Sequence, residues 1–341
     1  MAGVWGVHSD RPDLHVEENG VVAIGWGEVG DLRQIGPDRE AIKAKIAYTY
    51  PDAKKGSIPA TAGILYRFAF EVEVGDLIIY PYKPDRTIHF GRVTGDYFFD
   101  ETVGTENHPN RRSVQWFRLS VPRPTFSQGA LSEISAWTTL FKVARHADEF
   151  ESYLNGEPAT PEPIATEVAT DVVDETSHDE DALVASRVDE YTRDFVIKTL
   201  LNIGPYEFEG FVAGLLEAMG YRATVTQASG DGGVDVLASR DPLGLGPPVI
   251  KVQCKRTAGV IGAPDVQKLL GTLVGSQQGL FVTLGGYSPA AMQEARTKHD
   301  IKLINGDDLT DMVFEYYEKL EDRWKRVLPL RSVFAVEGGV A

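Results

Sequence analysis

The sequence predicts two domains of different class: a mostly-β N-terminal domain built as a small barrel with short helices, and an α/β C-terminal domain with a central mixed sheet. The chain has 341 residues, more than one domain usually holds. An acidic run separates closely spaced strand patterns from a region in which strand and helix patterns alternate. We expect the domains at 1–150 and 186–330, a linker at 151–185 and a tail at 331–341.

Short strands dominate the N-terminal pattern. Runs rich in β-branched and aromatic residues predict strands at 21–26, 63–72, 76–82, 89–94 and 113–119. A helix is expected over 38–48, with Asp38 as its cap and Ala41, Ile42 and Ile46 on its apolar side. Strands at such short spacing favour a small barrel.

A net charge of −16 by itself argues against a nucleic-acid partner, but the charge is unevenly distributed. Nine acidic residues and no Lys or Arg lie between Glu157 and Asp181, among three prolines. Residues 1–150 and 182–341 each carry 17 basic and 20 acidic side chains, which allows local basic patches. We interpret the acidic run as a solubilising linker, extended or disordered by its composition.

The C-terminal pattern alternates. It predicts helix 206–219, strands 222–227, 234–239 and 249–256, a helix near 264–275, strand 279–284, helix 288–298, strand 301–304 and helix 307–321. Ser288 is the expected cap of its helix, with Pro289 at the first helical position. The alternation after residue 249 implies a mixed sheet flanked by helices.

Polar residues with catalytic chemistry interrupt two of these strands. Asp235 closes the glycine-rich run Asp231-Gly232-Gly233-Val234-Asp235, and Gln253 and Lys255 share one face of strand 249–256. Mg²⁺ takes oxygen ligands and few side chains, so a carboxylate and an amide oxygen suit it. The lysine could orient the attacking water or offset charge on phosphorus. The alternative is an ordinary turn beside a solvated strand face.

These motifs resemble the Mrr-type restriction endonuclease catalytic domain of the PD-(D/E)xK nuclease superfamily. The resemblance covers about 205–315 and includes Phe208-Glu209, the glycine-rich run and Gln253-Cys254-Lys255-Arg256. It implies that Asp235 and Gln253 bind Mg²⁺ or Mn²⁺, that Lys255 is catalytic and that Gln253 takes the position of the superfamily's Glu. Glu209 matches the acidic residue of the first helix. Taken alone, Glu209 could equally be a solvated first-turn acid, and Glu207 and Glu217 compete with it.

The N-terminal half more weakly resembles the PUA-like superfamily that includes EVE and YTH-type readers. Ile24-Gly25-Trp26-Gly27, the Gly75-Asp76 turn and the strand around Trp116 carry the likeness. It implies a pocket that binds a flipped, modified base, and the candidate stacking residues are Trp26, Tyr82, Trp116 and Trp137. Each could instead fill the core. Arg111 and Arg112 are candidate phosphate contacts.

Several classes of protein are excluded or disfavoured. No run of about 18 apolar residues predicts a membrane span, the N-terminus lacks the pattern of a secretion signal, and one cysteine cannot form an internal disulfide or a cysteine-based zinc cluster. We therefore expect a cytoplasmic protein.

The two resemblances together imply a modification-dependent, type IV-like DNA restriction endonuclease that acts on double-stranded DNA in defence against foreign DNA. A double-strand cut usually uses two active sites, which makes a homodimer a reasonable expectation. Two alternatives stay open: a non-catalytic nucleic-acid-binding protein with a degenerate nuclease fold, and a repair or recombination nuclease that recognises DNA structure.

Overall fold

The computed structural model describes residues 2–9, 20–54, 56–82, 86–135, 138–156, 180–226, 233–241, 248–298 and 300–332. The chain divides into two compact units, with the boundary between Tyr191 and Thr192. Most of the predicted linker 151–185 and the tail from residue 333 onward lie outside the described residues, so the predicted domain limits stay a prediction.

The first unit contains a six-stranded sheet in the order β2-β5-β4-β3-β1-β6. Only β1 and β3 pair in parallel, and the remaining neighbours are antiparallel. The sheet is an open half-barrel in the described residues, so the predicted PUA-like barrel is not confirmed. Its strands are β1 (Val4–Val7), β2 (Val21–Ile24), β3 (Leu77–Tyr82), β4 (Thr87–Phe99), β5 (Asn110–Pro122) and β6 (Leu140–Lys142).

Short helices accompany this sheet. They are α1 (Leu32–Ile35), α2 (Arg39–Thr49), α3 (Ser57–Tyr66), α4 (Gln128–Ile134) and α5 (Ala147–Leu154). Asp38 caps α2 as predicted, because its carboxylate accepts hydrogen bonds from the amides of Glu40 and Ala41.

The strand predicted at 63–72 is wrong. Helix α3 occupies its first part and continues as a π-helical turn over Arg67–Glu71. The run from Ala60 to Leu65 is apolar without alternation, and such short runs do not distinguish a buried strand from a buried helix. Helical packing against α2 decided the outcome.

The second unit contains a five-stranded mixed sheet in the order β11-β10-β9-β8-β7. Neighbours from β7 to β9 are antiparallel, and those from β9 to β11 are parallel, as the alternating pattern predicted. The strands are β7 (Arg222–Val225), β8 (Val236–Ser239), β9 (Val249–Lys255), β10 (Gln278–Thr283) and β11 (Ile301–Ile304).

Helices cover both faces of this sheet. Leu280 and Val282 of β10 join a core cluster with α7 and α10, whereas the intervening Phe281 joins a second cluster with Leu269 of α8. Helix α6 (Glu180–Asn202) crosses the boundary between the units, and its residues from Thr192 onward belong to the second unit. The other helices are α7 (Pro205–Ala218), α8 (Ala263–Leu270), α9 (Pro289–Thr297), α10 (Gly306–Tyr316) and α11 (Asp322–Val327). Across the described ranges, no helix has the length and apolar character needed to span a membrane.

Candidate active site

Asp235 lies at the point where β8 separates from β9. The last paired residues of the two strands are Val236 and Val252, and the Asp235 amide donates to the Val252 carbonyl at 2.8 Å. The Cys254 amide then donates to Asp235 Oδ2 at 2.7 Å. The Asp235 carboxylate thus accepts the hydrogen bond that a backbone carbonyl of β8 would accept if the strands stayed paired. This bond fixes the carboxylate against β9. Residues 231 and 232 of the glycine-rich run lie outside the described residues.

Gln253 supplies a second oxygen beside Asp235. Its Oε1 is buried and has no hydrogen-bond partner among the described residues. A buried amide oxygen without a partner is uncommon, because the group loses its hydration without compensation. Gly233 makes room for this side chain: its φ is +92°, and a Cβ there would lie 3.2 Å from Gln253 Nε2. A buried amide oxygen without a hydrogen-bond donor is well suited to act as a metal ligand.

Successive side chains of β9 point to opposite faces of the sheet. Val252 is fully buried in the main core cluster of the unit, and Cys254 packs against the same cluster. Gln253 and Lys255 therefore point to the opposite face. Burial, together with the nearby Asp235 and Glu209 carboxylates, raises the pKa of the Cys254 thiol well above its ordinary value. The thiol is held neutral, which makes it a core residue rather than a nucleophile.

Lys255 extends toward α8. Its Nζ lies 2.6 Å from Asp265 Oδ1, and both side chains are partly exposed. The lysine is thus held in one orientation by a carboxylate in the first turn of α8. Sequence reasoning did not identify Asp265.

Glu209 approaches this site from α7. Burial raises the pKa of Glu209, and the Asp235 carboxylate raises it further, so the two acids are close enough to repel each other. The competing residues Glu207 and Glu217 are exposed. The helix ends as predicted: Gly220 has a φ of +90°, and its amide donates to the Glu217 carbonyl.

A second cation, which the sequence analysis also missed, lies near Asp235. The Nζ of Lys268 is 3.6 Å from where a Cβ on Gly233 would stand. Burial raises the pKa of Asp235, while the Cys254 amide and the Lys268 charge act in the opposite direction. Asp265 and Lys268 are three residues apart on α8, a spacing that places both on one helix face and could have drawn attention to them.

This arrangement fits one divalent metal. Asp235 offers a carboxylate without an ion pair in the described part of the chain, and Gln253 offers an orphaned amide oxygen. No group of three or more His, Cys, Asp or Glu side chains among the described residues could hold a metal. That is compatible with Mg²⁺, which often takes only one or two protein carboxylates and completes its shell with water and phosphate.

The candidate base-binding residues do not share one pocket. Trp26 is half-buried and lines a cavity of about 470 Å³ with Tyr50 and Asp52. Neither Tyr82, which packs 4.8 Å from the ring of His89, nor Trp116 is among the described residues that line it. Trp137 lies outside the described residues. Trp26 has a φ of 59°, an uncommon conformation for a bulky residue and one often associated with functional sites.

Trp116 is a core residue. It is 8% exposed and packs against Tyr80, with ring centroids 6.2 Å apart. The prediction that it stacks on a base is therefore corrected, because Val114 and Trp116 lie on the inward face of β5.

Arg111 and Arg112 both hold the fold together. Arg111 forms an ion pair with Asp100 at 2.8 Å. Arg112 is 3% exposed and donates to the carbonyls of Phe68 and Ala69, the π-helical turn that follows α3. The prediction that Arg112 contacts phosphate is wrong, because it satisfies buried carbonyl groups instead. Arg111 is only partly exposed, and it also donates to the carbonyls of Asn107 and His108.

The second unit combines a mixed five-stranded sheet, helices on both faces and the Asp235 carboxylate held against β9. Residues 200–313 match the family model Mrr_cat, described as restriction endonuclease, which confirms the resemblance drawn from the motifs. Residues 10–138 match a model described as domain of unknown function (DUF8426), so the PUA-like resemblance is not confirmed. The second unit thus contains an Mrr-type restriction endonuclease domain.

One curated relative is the Type IV methyl-directed restriction enzyme EcoKMrr of Escherichia coli (strain K12). It is 33% identical over 129 residues, which make up 36% of this chain and 42% of the E. coli enzyme. Among solved structures, MspJI restriction endonuclease in complex with a 27-mer oligonucleotide is 14% identical, with a TM-score of 0.31 over 77% of this chain and 65% of its own. The DNA modification-dependent restriction endonuclease AspBHI is 14% identical, with a TM-score of 0.33 over 78% of this chain and 71% of its own.

Proposed function

We propose that this protein is a modification-dependent, type IV-like DNA restriction endonuclease that hydrolyses phosphodiester bonds with Mg²⁺ or Mn²⁺. The observation that carries the proposal is the convergence of Asp235 with the orphaned amide oxygen of Gln253, where β8 leaves β9. This convergence lies inside the segment that matches a restriction endonuclease model. Double-stranded DNA is the proposed substrate, and defence against foreign DNA is the proposed role.

Asp235 and Gln253 would hold the metal. The bound ion would lower the pKa of a coordinated water and offset negative charge on the phosphate. With only one of these two ligands charged, the protein contributes a single negative charge through them. Glu209 is the nearby acid that can add another, directly or through water.

The lysines supply the positive charge that faces the substrate. Lys255 can donate to the attacking water or to a phosphate oxygen as charge builds on phosphorus. Asp265 limits the orientations of Lys255 by its contact of 2.6 Å. Lys268, on the same helix face as Asp265, can contact a phosphate oxygen beside Asp235. In this proposal Lys255 is catalytic, whereas Asp265 is a positioning residue.

The first unit would recognise the modified base. The cavity beside Trp26 supports this role, because it combines an indole face with the polar groups of Thr49, Asp52 and Ser57. Small-molecule pockets are commonly apolar cavities of about 300–1,000 Å³ with a few polar groups that fix orientation. A flipped base would stack on Trp26 and form hydrogen bonds through its edge. Trp26→Ala should weaken binding to a modified duplex by about 1–3 kcal/mol, with a smaller effect on unmodified duplex.

Cleavage of modified DNA by the full chain tests the nuclease proposal. Asp235→Ala and Lys255→Ala should each abolish Mg²⁺-dependent cutting while DNA binding and the folded structure are retained. Glu207→Ala is the control for the loss of an acidic side chain outside the site, since Glu207 is exposed on α7. Gln253→Glu should retain activity with altered metal preference, because it restores a carboxylate of the same shape. Cutting at the parent rate by either Ala variant would remove that residue from the mechanism.

The alternatives are separated by the choice of substrate. A structure-selective nuclease would cut branched DNA whether or not its bases are modified, and a non-catalytic binder would cut none of the substrates in any metal. Sedimentation of the full chain with and without DNA tests the proposed homodimer. Limited proteolysis tests the proposed linker, which should be cut between Glu157 and Asp181 to release two stable fragments.

A further inference from the structure

A second cavity in the first unit is built around two arginines. It has a volume of about 520 Å³ and lies between the start of α2 and the end of α3, where the described lining residues are Pro37, Asp38, Arg39, Gly63, Tyr66, Arg67 and Glu71. This cavity shares no described lining residue with the cavity beside Trp26. We refer to Arg39, Gly63 and Arg67 as the arginine cradle.

The two guanidinium groups converge over a helical glycine. A Cβ on Gly63 would lie 3.0 Å from Nη2 of Arg39 and 3.7 Å from Nη2 of Arg67. The two charged groups are therefore separated by no more than the sum of those distances. Gly63 has an ordinary helical conformation, so the reason for glycine here is space rather than backbone freedom.

Two carboxylates, those of Asp38 and Glu71, line the same cavity, but neither forms a direct ion pair with the arginines among the described residues. The Asp38 carboxylate accepts hydrogen bonds from the amides of Glu40 and Ala41 and keeps its negative charge beside the cradle. Among the described residues, the Nε of Arg67 is buried without a hydrogen-bond partner, and Arg39 donates to the Pro59 carbonyl at a long distance of 3.4 Å. Donors are thus left over on both guanidinium groups.

We propose that the arginine cradle binds a phosphate group. Like charges held together repel each other, and an anion between them removes that repulsion. The planar guanidinium fork matches the oxygen spacing of a phosphate, which it can bind through two parallel hydrogen bonds. The phosphate comes from the backbone of bound DNA, a source that rests on the proposed function, or from a free nucleotide, a source that does not.

Binding measurements on the full chain test the cradle. The probes are a modified duplex, the same duplex unmodified, a deoxynucleoside monophosphate and inorganic phosphate, all without divalent metal. If the DNA backbone is the ligand, Arg39→Ala and Arg67→Ala should each weaken both duplexes alike, by about tenfold. Each should also reduce the slope of log K against log salt by about one. Arg33→Ala is the control, because Arg33 is paired with Asp31 at 2.7 Å.

Gly63→Ala separates a defined site from a general charge effect. The substitution keeps both arginines and favours the helix by about 1 kcal/mol, so the fold should not suffer. The added methyl group would displace the Arg39 guanidinium and should reproduce the binding loss. If Gly63→Ala binds the probes as the parent protein does, the proposal that the arginine cradle binds phosphate is overturned.

The remaining outcomes are also decisive. Loss of monophosphate and phosphate binding with unchanged duplex binding would support a cradle for a free nucleotide. Unchanged binding of all four probes in both arginine variants would overturn the site. If the parent protein neither binds nor cuts DNA, the proposed function fails, and the phosphate titration still decides whether the cradle binds an anion.

Discussion

Trp324 offers a direct test of how the acidic residue of α7 is positioned. The indole lies in α11, beyond the segment that matches the restriction endonuclease model, and it packs against α7 at Gly210 and Gly214. It is 4% exposed and meets Phe211 edge-on, with ring centroids 5.4 Å apart. Two glycines four residues apart leave a smooth face on which the ring can lie.

The cost of removing this ring follows from its burial. A tryptophan buries roughly 150–250 Å², and at about 25 cal/mol per Å² that amounts to about 4–6 kcal/mol. Aromatic-to-Ala substitutions in cores cost about 3–5 kcal/mol. We expect Trp324→Ala to lower the free energy of unfolding of the second unit by about 3–5 kcal/mol. Because α7 carries Glu209 on its half-buried side, cleavage should fall as well.

Hydrogen exchange and urea unfolding of the full chain measure this effect. Amides of α7 should lose protection in Trp324→Ala and lose less in Trp324→Phe, which keeps an aromatic ring. Tyr206→Ala is the matched control, since Tyr206 is 70% exposed on the same helix. Unchanged α7 protection and parent-rate cleavage in Trp324→Ala would refute the reasoning.

Three further predictions concern charge. In metal-free protein, Asp235→Asn should raise the thermal midpoint near neutral pH. Burial raises the pKa of Asp235, so its ionised form costs stability and this cost disappears as pH falls through the raised pKa; the advantage of Asn should shrink in a pH series of thermal melts. Asp265→Ala should lower kcat by about 10- to 100-fold with little change in KM, and Asp265→Asn should lower it less, as steady-state cleavage would show. Burial works to raise the pKa of Glu133, but the amides of residues 144–146 and the His146 ring hold it below its ordinary value. Glu133→Gln should therefore cost about 1–3 kcal/mol in urea unfolding at neutral pH, and less as pH falls through the lowered pKa.

The sequence predicted the second unit better than the first. Strand 301–304 and the Ser288 cap were predicted correctly, because both depend on local signals: β-branched alternation and an N-cap hydroxyl followed by proline. Helix α6 was missed because its first residues belong to the acidic run that reads as linker. The first unit was harder, since its apolar run at Ala60–Leu65 has the composition of either a buried helix or a buried strand.

The site residues that share a strand or a motif could be predicted from the sequence, but contacts between distant segments of the chain could not. Asp235, Gln253 and Lys255 follow from motif and alternation, and the Asp235 carboxylate accepts from the Cys254 amide, one residue from Gln253 on β9. The partner of Lys255 could not be inferred, because Asp265 reaches it only through packing of α8 on the sheet. The same limit applies to Arg112, whose hydrogen bonds to Phe68 and Ala69 join positions more than 40 residues apart. An arginine pair in sequence does not reveal whether the fold needs its donors internally.

The electrostatics of the site indicate why a metal and stability should be coupled. Asp235 and Glu209 both have raised pKa values, and neither has an ion pair in the described part of the chain. Gln253 adds an acceptor whose desolvation is uncompensated. These are unfavourable contributions to the metal-free fold, and a bound cation would relieve all three at once. A ligand that binds only the folded state stabilises it in proportion to the logarithm of its concentration over Kd. Mg²⁺ should therefore raise the thermal midpoint of the parent protein and not that of Asp235→Asn, a difference that reports on the metal site without any cleavage being measured.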